Sequence, residues 1–241
     1  MIKKKNKIIG IIPVRFFSTR FPGKPLALIA GKPMIQWVWE GISSSNLIDK
    51  IIVATDDVRI KKFVESIGGE AKMTSPSHFS GTDRVWEVVK DEAIEIILNI
   101  QGDEPLITGE ICDKVIETLI AHPEADMATV VKRERTPGNE NIVKVVVSEN
   151  EYALYFSRSP IPFYMDGNPT YLIHKGIYGF RKNFLERFVN SKQSYLEKAE
   201  KLEQLRALSI EGKIRVVEIK EELISVDVPE DIEKVERALA L

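Results

Sequence analysis

Short apolar runs and amphipathic stretches take turns along the first half of the chain. Ile8–Pro13 is a run of strand length, and a helix is predicted from about Met34. A strand follows at Ile51–Ala54, then a helix from about Val58 in which Ile60, Phe63, Val64 and Ile67 recur at the spacing of one buried face. Lys72 and Met73 close a short third strand. Asp83–Asp91 reads as a helix, Ile94–Ile100 as a strand and Glu110–Ile120 as a helix. This rhythm predicts an α/β fold with a mostly parallel sheet covered by helices. Ligands of such sheets sit beyond the strands' C-terminal ends. The loops that matter are therefore 14–33, 55–57, 74–84 and 101–108.

The pattern changes after about residue 127. Met127–Val131, Val143–Val147 and Tyr152–Phe156 read as strands, with "SENE" as a hairpin turn between the last two, followed by a Pro-rich excursion at "SPIPFYMDGNP". A strand at "GIYGF", one long helix around Leu196–Leu208, a strand at Ile214–Ile219 and a helix from Pro229 complete the reading. With no repeat and no linker, a single domain over residues 1–241 is predicted, with an antiparallel extension at about 140–195.

Composition narrows the function classes. A net charge of −2 gives no broad surface for nucleic acid, so none is expected as a partner, and any bound anion must meet local charge. The single cysteine, Cys112, lies on a predicted helix face with Ile111, Val115, Ile116 and Leu119, so a buried thiol in a reducing compartment is expected. "MIKKKNKIIGIIPV" has too short an apolar run and no cleavage site for a signal peptide, and reads as a basic tail entering the first strand. No membrane insertion is expected, and the cytoplasm is the predicted location.

Four loops carry candidate chemistry. After Val14 the chain turns to Arg15, Ser18, Thr19, Arg20, Gly23 and Lys24. Small residues let backbone N–H groups approach an anion while the bases supply charge, though the same residues suit an exposed basic loop. The segment matches neither common nucleotide-binding glycine motif. In "NIQGDEPLI" a strand ends in Gln101, Gly102 and Asp103, where a carboxylate suits a hard cation or, equally, a turn before the next helix. "ISVDVPEDI" repeats that arrangement at Asp227, which also suits a helix N-terminus. The topology can bring Asp103 and Asp227 to one sheet edge; two carboxylates with a basic loop make a metal–triphosphate site. "TSPSHFSGTDR" is a polar loop opening a helix, where Ser80, Thr82 and Arg84 suit contact with a nucleotide or sugar as well as helix capping, and capping is expected in either case. His174 has no Cys or His partner at ligand spacing, which argues against zinc.

In order, "IIPVRFFSTRFPGKPL", "GKPMIQWV", "IIVATDD", "SGTDRV", "NIQGDEP", "YALYFSRSPIP", "HKGIYGFR", "LEQLR" and "VDVPEDIEKV" resemble the 3-deoxy-manno-octulosonate (Kdo) cytidylyltransferases, or CMP-Kdo synthetases, over nearly the whole chain. The resemblance implies the nucleotide-diphospho-sugar transferase fold, a three-layer α/β sandwich with a mixed, mainly parallel central sheet and a small antiparallel dimerisation extension. It implies transfer of CMP from CTP to Kdo with release of pyrophosphate, Mg²⁺ as cofactor, a lipopolysaccharide pathway and a homodimer. By position, Arg15 and Lys24 would hold the triphosphate, with Ser18, Thr19 and Arg20 shaping the loop. Thr74, Ser80, Gly81 and Gln101 would lie near the nucleotide, and Asp103 and Asp227 would bind Mg²⁺. Arg84, Gln101, Arg158, His174, Tyr178, Glu203 and Gln204 would surround the sugar acid. An acceptor such as 8-amino-3,8-dideoxy-octulosonate or sialic acid, or a non-catalytic nucleotide-sugar sensor, remains as an alternative.

Overall fold

The structure, a computed structural model, describes residues 8–17 and 20–240. The predicted basic tail at Met1–Lys7 and the loop residues Ser18 and Thr19 lie outside the described residues. The elements begin with β1 (Ile8–Val14), a single 3₁₀ turn (Lys24–Leu26), β2 (Leu28–Ile29), β3 (Lys32–Pro33), α1 (Met34–Ser43), β4 (Lys50–Thr55) and α2 (Val58–Ser66). There follow β5 (Glu70–Met73), α3 (Gly81–Val89), β6 (Ile96–Asn99), α4 (Gly109–Ala121), β7 (Met127–Glu134), β8 (Lys144–Val147) and β9 (Ala153–Ser157). The chain ends with β10 (Tyr171–Arg181), α5 (Lys182–Asn190), α6 (Tyr195–Glu200), α7 (Gln204–Ser209), β11 (Ile214–Ile219) and α8 (Asp231–Leu239). These elements gather into two compact units, one of Met1–Asp113 with Glu222–Leu241 and the other of Lys114–Glu221.

In unit one, β1 runs parallel between β4 and β6, and β5 pairs outside β4. All seven β1 residues are buried, as a continuous apolar run requires in a parallel sheet. Pro13 is tolerated inside β1 because the β6 pairing ends at Ile11 and Asn99, leaving only β4 beside it. That one-sided end of β1 opens the space the site uses.

Asp57 caps α2 through the Arg59 N–H at 2.8 Å. Ser80 and Asp83 form a reciprocal capping box, which starts α3 at Gly81, two residues before the predicted Asp83. Residues 222–241 return to this unit, where Val226 and Val235 share a core with Ile29 and Met34.

In unit two, β7 has β10 antiparallel on one side and β11 parallel on the other, while β8 joins β10 to β9 by antiparallel pairs. The "SENE" turn closes with Glu151 N–H donating to Ser148 O at 2.9 Å. The single long helix predicted at Leu196–Leu208 is instead two short ones, α6 and α7, because Lys201 turns into the left-handed region at φ 53°. The break lets Arg206 reach back to Glu197 with two bonds of 2.9 and 2.5 Å, both side chains buried. In an unbroken helix those residues would stand ~13 Å apart along the axis. Helix α5 was not among the predicted elements, although Phe184, Leu185 and Phe188 bury one face of it. Among the described residues no helix is long and apolar enough to cross a membrane.

Candidate active site

A cleft of about 270 Å³ opens in unit one where β1 and the loop after β6 end. Arg15, Arg20, Lys24, Ser80, Gly81, Arg84, Gln101, Asp103 and Asp227, drawn from four separated stretches of sequence, all line it.

The basic loop is held as a closed turn. Gly23 adopts φ 74°, a conformation glycine takes without strain, and its N–H donates to Phe16 O at 2.8 Å. The Phe16 ring lies against Gly23 on one side and under the Arg59 guanidinium at 3.4 Å. The chain thus enters the 3₁₀ turn with Lys24 directed into the cleft.

Close packing brings the other wall in. A Cβ on Gly102 would sit 2.1 Å from Val14 Cγ1, so only glycine lets the end of β1 and the Asp103 loop approach this closely. The Asp103 and Asp227 segments are joined through backbone. Val226 N–H donates to Asp103 O at 2.9 Å, and Ser225 Oγ donates to Glu104. Lys24 Nζ donates to Asp103 Oδ2 at 2.5 Å and to Val226 O at 2.7 Å, and lies 4.0 Å from Asp227 Oδ1. Arg20 donates to the same Asp227 oxygen at 2.8 Å. Asp227 does not cap a helix, contrary to the other reading its sequence context offered. α8 starts four residues later, and it is the Asp231 carboxylate that accepts the Asp227 and Val228 N–H groups.

Asp103 and Asp227 fit the expected Mg²⁺. They offer hard oxygen donors at the edge of the cleft, and a cationic ammonium already stands between them.

Ser80 is spent on the capping box, so its place in the lining comes with its hydroxyl and N–H both engaged to Asp83. Thr74 is buried beneath the cleft and accepts from Arg84. Arg84 is itself buried, with its other donor on Asp56 Oδ2 at 2.8 Å. Gln101 donates to Asn99, which donates to Thr82. Asp56, His78 and Phe79 were not singled out from the sequence. Asp56 sits just past β4, in the 55–57 loop, where a carboxylate at a parallel strand's C-terminal end was the available signal. His78 and Phe79 line the cleft, with Phe79 almost fully exposed. Glu87 accepts from His78 and from Ser75 N–H. Burial would raise its pKa, but these bonds outweigh burial and hold the carboxyl below the usual range.

Unit two gathers the other expected sugar residues. The β10–β7 register shifts between Lys175 and Tyr178, a bulge that places the His174 and Tyr178 rings 5.4 Å apart. Four residues of regular strand would separate them by ~13 Å. Tyr178 O–H donates to Gln204 Oε1 at 3.2 Å. Burial, then the Glu203 charge, push the phenol pKa well up. Thr129 O–H donates to Ile177 O at 2.8 Å, so His174 Nε2–H donates to Thr129 Oγ1 at 2.9 Å. Burial, and secondarily Lys175, lower the His174 pKa to about 3, so this imidazole is neutral. Arg158 is held elsewhere in the unit, donating to Glu200 O and Glu140 O, each at 2.8 Å.

Residues 9–219 match the family model described as cytidylyltransferase. A protein of Bdellovibrio bacteriovorus named 3-deoxy-manno-octulosonate cytidylyltransferase is 44% identical, the alignment covering 97% of this chain and 98% of its own. Its namesake in Geobacter sulfurreducens is 48% identical over 95% and 97%. A solved structure of CMP:2-keto-3-deoxy-manno-octonic acid synthetase complexed with CTP superimposes with a TM-score of 0.93, at 39% identity over 98% of this chain and 99% of that one. The 4-diphosphocytidyl-2C-methyl-D-erythritol synthase of Anaerococcus prevotii shares the fold, with a TM-score of 0.66 at 17% identity over 99% of this chain and all of that one.

Proposed function

The chain belongs to the 3-deoxy-manno-octulosonate cytidylyltransferase family, and from that premise we propose that it transfers CMP from CTP to the anomeric hydroxyl of Kdo, releasing pyrophosphate. The observation that carries this reading is the meeting of Arg15, Arg20 and Lys24 with Asp103 and Asp227 in one cleft.

In-line attack on the α-phosphorus places developing charge on the phosphate oxygens, so catalysis is mostly positioning and charge stabilisation. Arg15, Arg20 and Lys24 supply donors and positive charge to the triphosphate. Asp103 and Asp227 would hold Mg²⁺, which supplies Lewis acidity and lowers the proton affinity of the attacking hydroxyl. Arg84, fixed by Asp56, and Gln101 offer donors for the sugar acid from the same cleft. The His174, Tyr178, Glu203 and Gln204 group carries neutral and acidic hydrogen-bonding atoms suited to a polyhydroxylated ligand.

The product would feed lipopolysaccharide assembly in the cytoplasm. A homodimer using residues of about 140–195 is supported by the exposed Phe163 and Met165 on that stretch; light scattering showing only monomer would remove it. The decisive assay is pyrophosphate release from CTP, with Kdo, its 8-amino analogue and sialic acid run separately with and without chelator. Chelator-sensitive turnover with Kdo above the other two is expected, and CTP binding without turnover would overturn the reading.

A further inference from the structure

Lys24 stands where a bound cation belongs. Its side chain is only 14% exposed, and its ammonium is bonded to Asp103 Oδ2 and Val226 O and within ion-pair reach of Asp227. Two carboxylates and a carbonyl are the oxygen chemistry of a hard cation, and here the chain supplies that cation itself. Arg20 meanwhile occupies the other acid. Two of the cleft's bases, Arg20 and Lys24, are therefore paired with its acids, whereas nucleotidyl transfer needs the bases on phosphate and the acids on metal.

We propose that Lys24 is a placeholder cation. In the nucleotide-free protein it neutralises Asp103 and Asp227 and keeps a divalent ion out, and the triphosphate draws it away and opens the acids to metal. This rests on the reading of Asp103 and Asp227 as the metal's carboxylates. Removing the ammonium leaves two like charges near one another, an arrangement that favours an incoming divalent cation. Phosphate oxygens offer Lys24 charge-assisted bonds of equal quality in exchange. The flexible four-carbon stem lets the ammonium swing without moving the backbone bond between Val226 and Asp103. The coupling is reciprocal by thermodynamic necessity: metal that displaces Lys24 also releases it to bind phosphate. Metal and nucleotide then enter as a cooperative pair.

The test uses Mn²⁺ alone, with no nucleotide, read from the free-ion electron paramagnetic resonance signal. Wild type, Lys24→Met and Lys24→Gln are compared, each also combined with Asp103→Asn and with Asp227→Asn, with circular dichroism reporting the fold. The Lys24 variants should bind Mn²⁺ about tenfold tighter than wild type, within the usual range of coupling between sites, and either Asp→Asn change should abolish the gain. Equal Mn²⁺ affinity in wild type and the Lys24 variants overturns the placeholder role. If Asp103→Asn still weakens binding in that case, the metal reading survives it. A gain that persists through both Asp→Asn changes overturns the metal reading itself. Should Lys24→Met fail to fold, the polar Lys24→Gln decides.

Discussion

In the cleft of unit one, Arg20, Lys24, Asp103 and Asp227 hold each other across side chains that range from 14% to 61% exposed. In unit two, Tyr178 is buried and His174 half-buried, His174 is held neutral, and their side chains bond Gln204 and Thr129 respectively. Partly hydrated charges change partners cheaply, because water and salt already share the interaction. Buried polar groups do not, because a lost partner leaves an atom with nothing to replace it. Rearrangement therefore belongs to the cleft, and fixed shape to the buried group and the Glu197–Arg206 pair near it in sequence.

That contrast can be broken at its rigid end first. Arg206→Met leaves Glu197 as an uncompensated buried charge and should cost about 3–5 kcal/mol of stability in urea melts; a loss under ~1 kcal/mol, the scale of an exposed pair, would mean the pair is not locked. At the mobile end, Asp103→Asn should lower turnover at least ~10²-fold, the scale of a lost electrostatic stabiliser, with the circular dichroism spectrum unchanged. Near-normal turnover would remove Asp103 from the chemistry.

A third measurement sharpens the comparison through pH. The His174 pKa is near 3 in the folded chain against 6.5 for the free side chain, so below pH 6.5 the unfolded state takes up a proton the folded state refuses. The stabilising contribution is complete above pH 6.5 and is lost as pH falls toward 3, at up to ~1.4 kcal/mol per pH unit. His174→Gln should flatten the stability profile in that window, and an unchanged slope would show the imidazole titrates normally. The smallest effect is expected for Arg20→Ala, whose exposed pair with Asp227 should shift stability by less than ~1 kcal/mol while CTP affinity, followed by calorimetry, falls.

Patterning made the parallel half legible, since β1, β4, β6 and the helices between them follow runs and faces that local sequence encodes. It also brought Arg15, Lys24, Asp103 and Asp227 to notice, because each follows the C-terminal end of an apolar run. The α6–α7 break escaped it: "YLEKAEKLEQLRALS" has the composition of one continuous helix, and the bend answers to a buried ion pair nine residues apart. The bulge in β10 escaped for a like reason, since "GIYGF" alone read as a strand and only the pairing with β7 reveals the shift. Asp56 was passed over because its role depends on Arg84, twenty-eight residues away.

The return of residues 222–241 to unit one also sets an order of assembly on the ribosome. Unit one is opened by β1, yet part of its apolar packing, through Val226 and Val235, and one of its two cleft acids arrive only after all of unit two has been made. A nascent chain that stops short of Asp227 carries the basic loop and Asp103 without the second carboxylate. The cleft is thus completed only after unit two has been made, and a product truncated before residue 227 would keep Arg15, Arg20 and Lys24 while lacking one of the two acids that line the cleft.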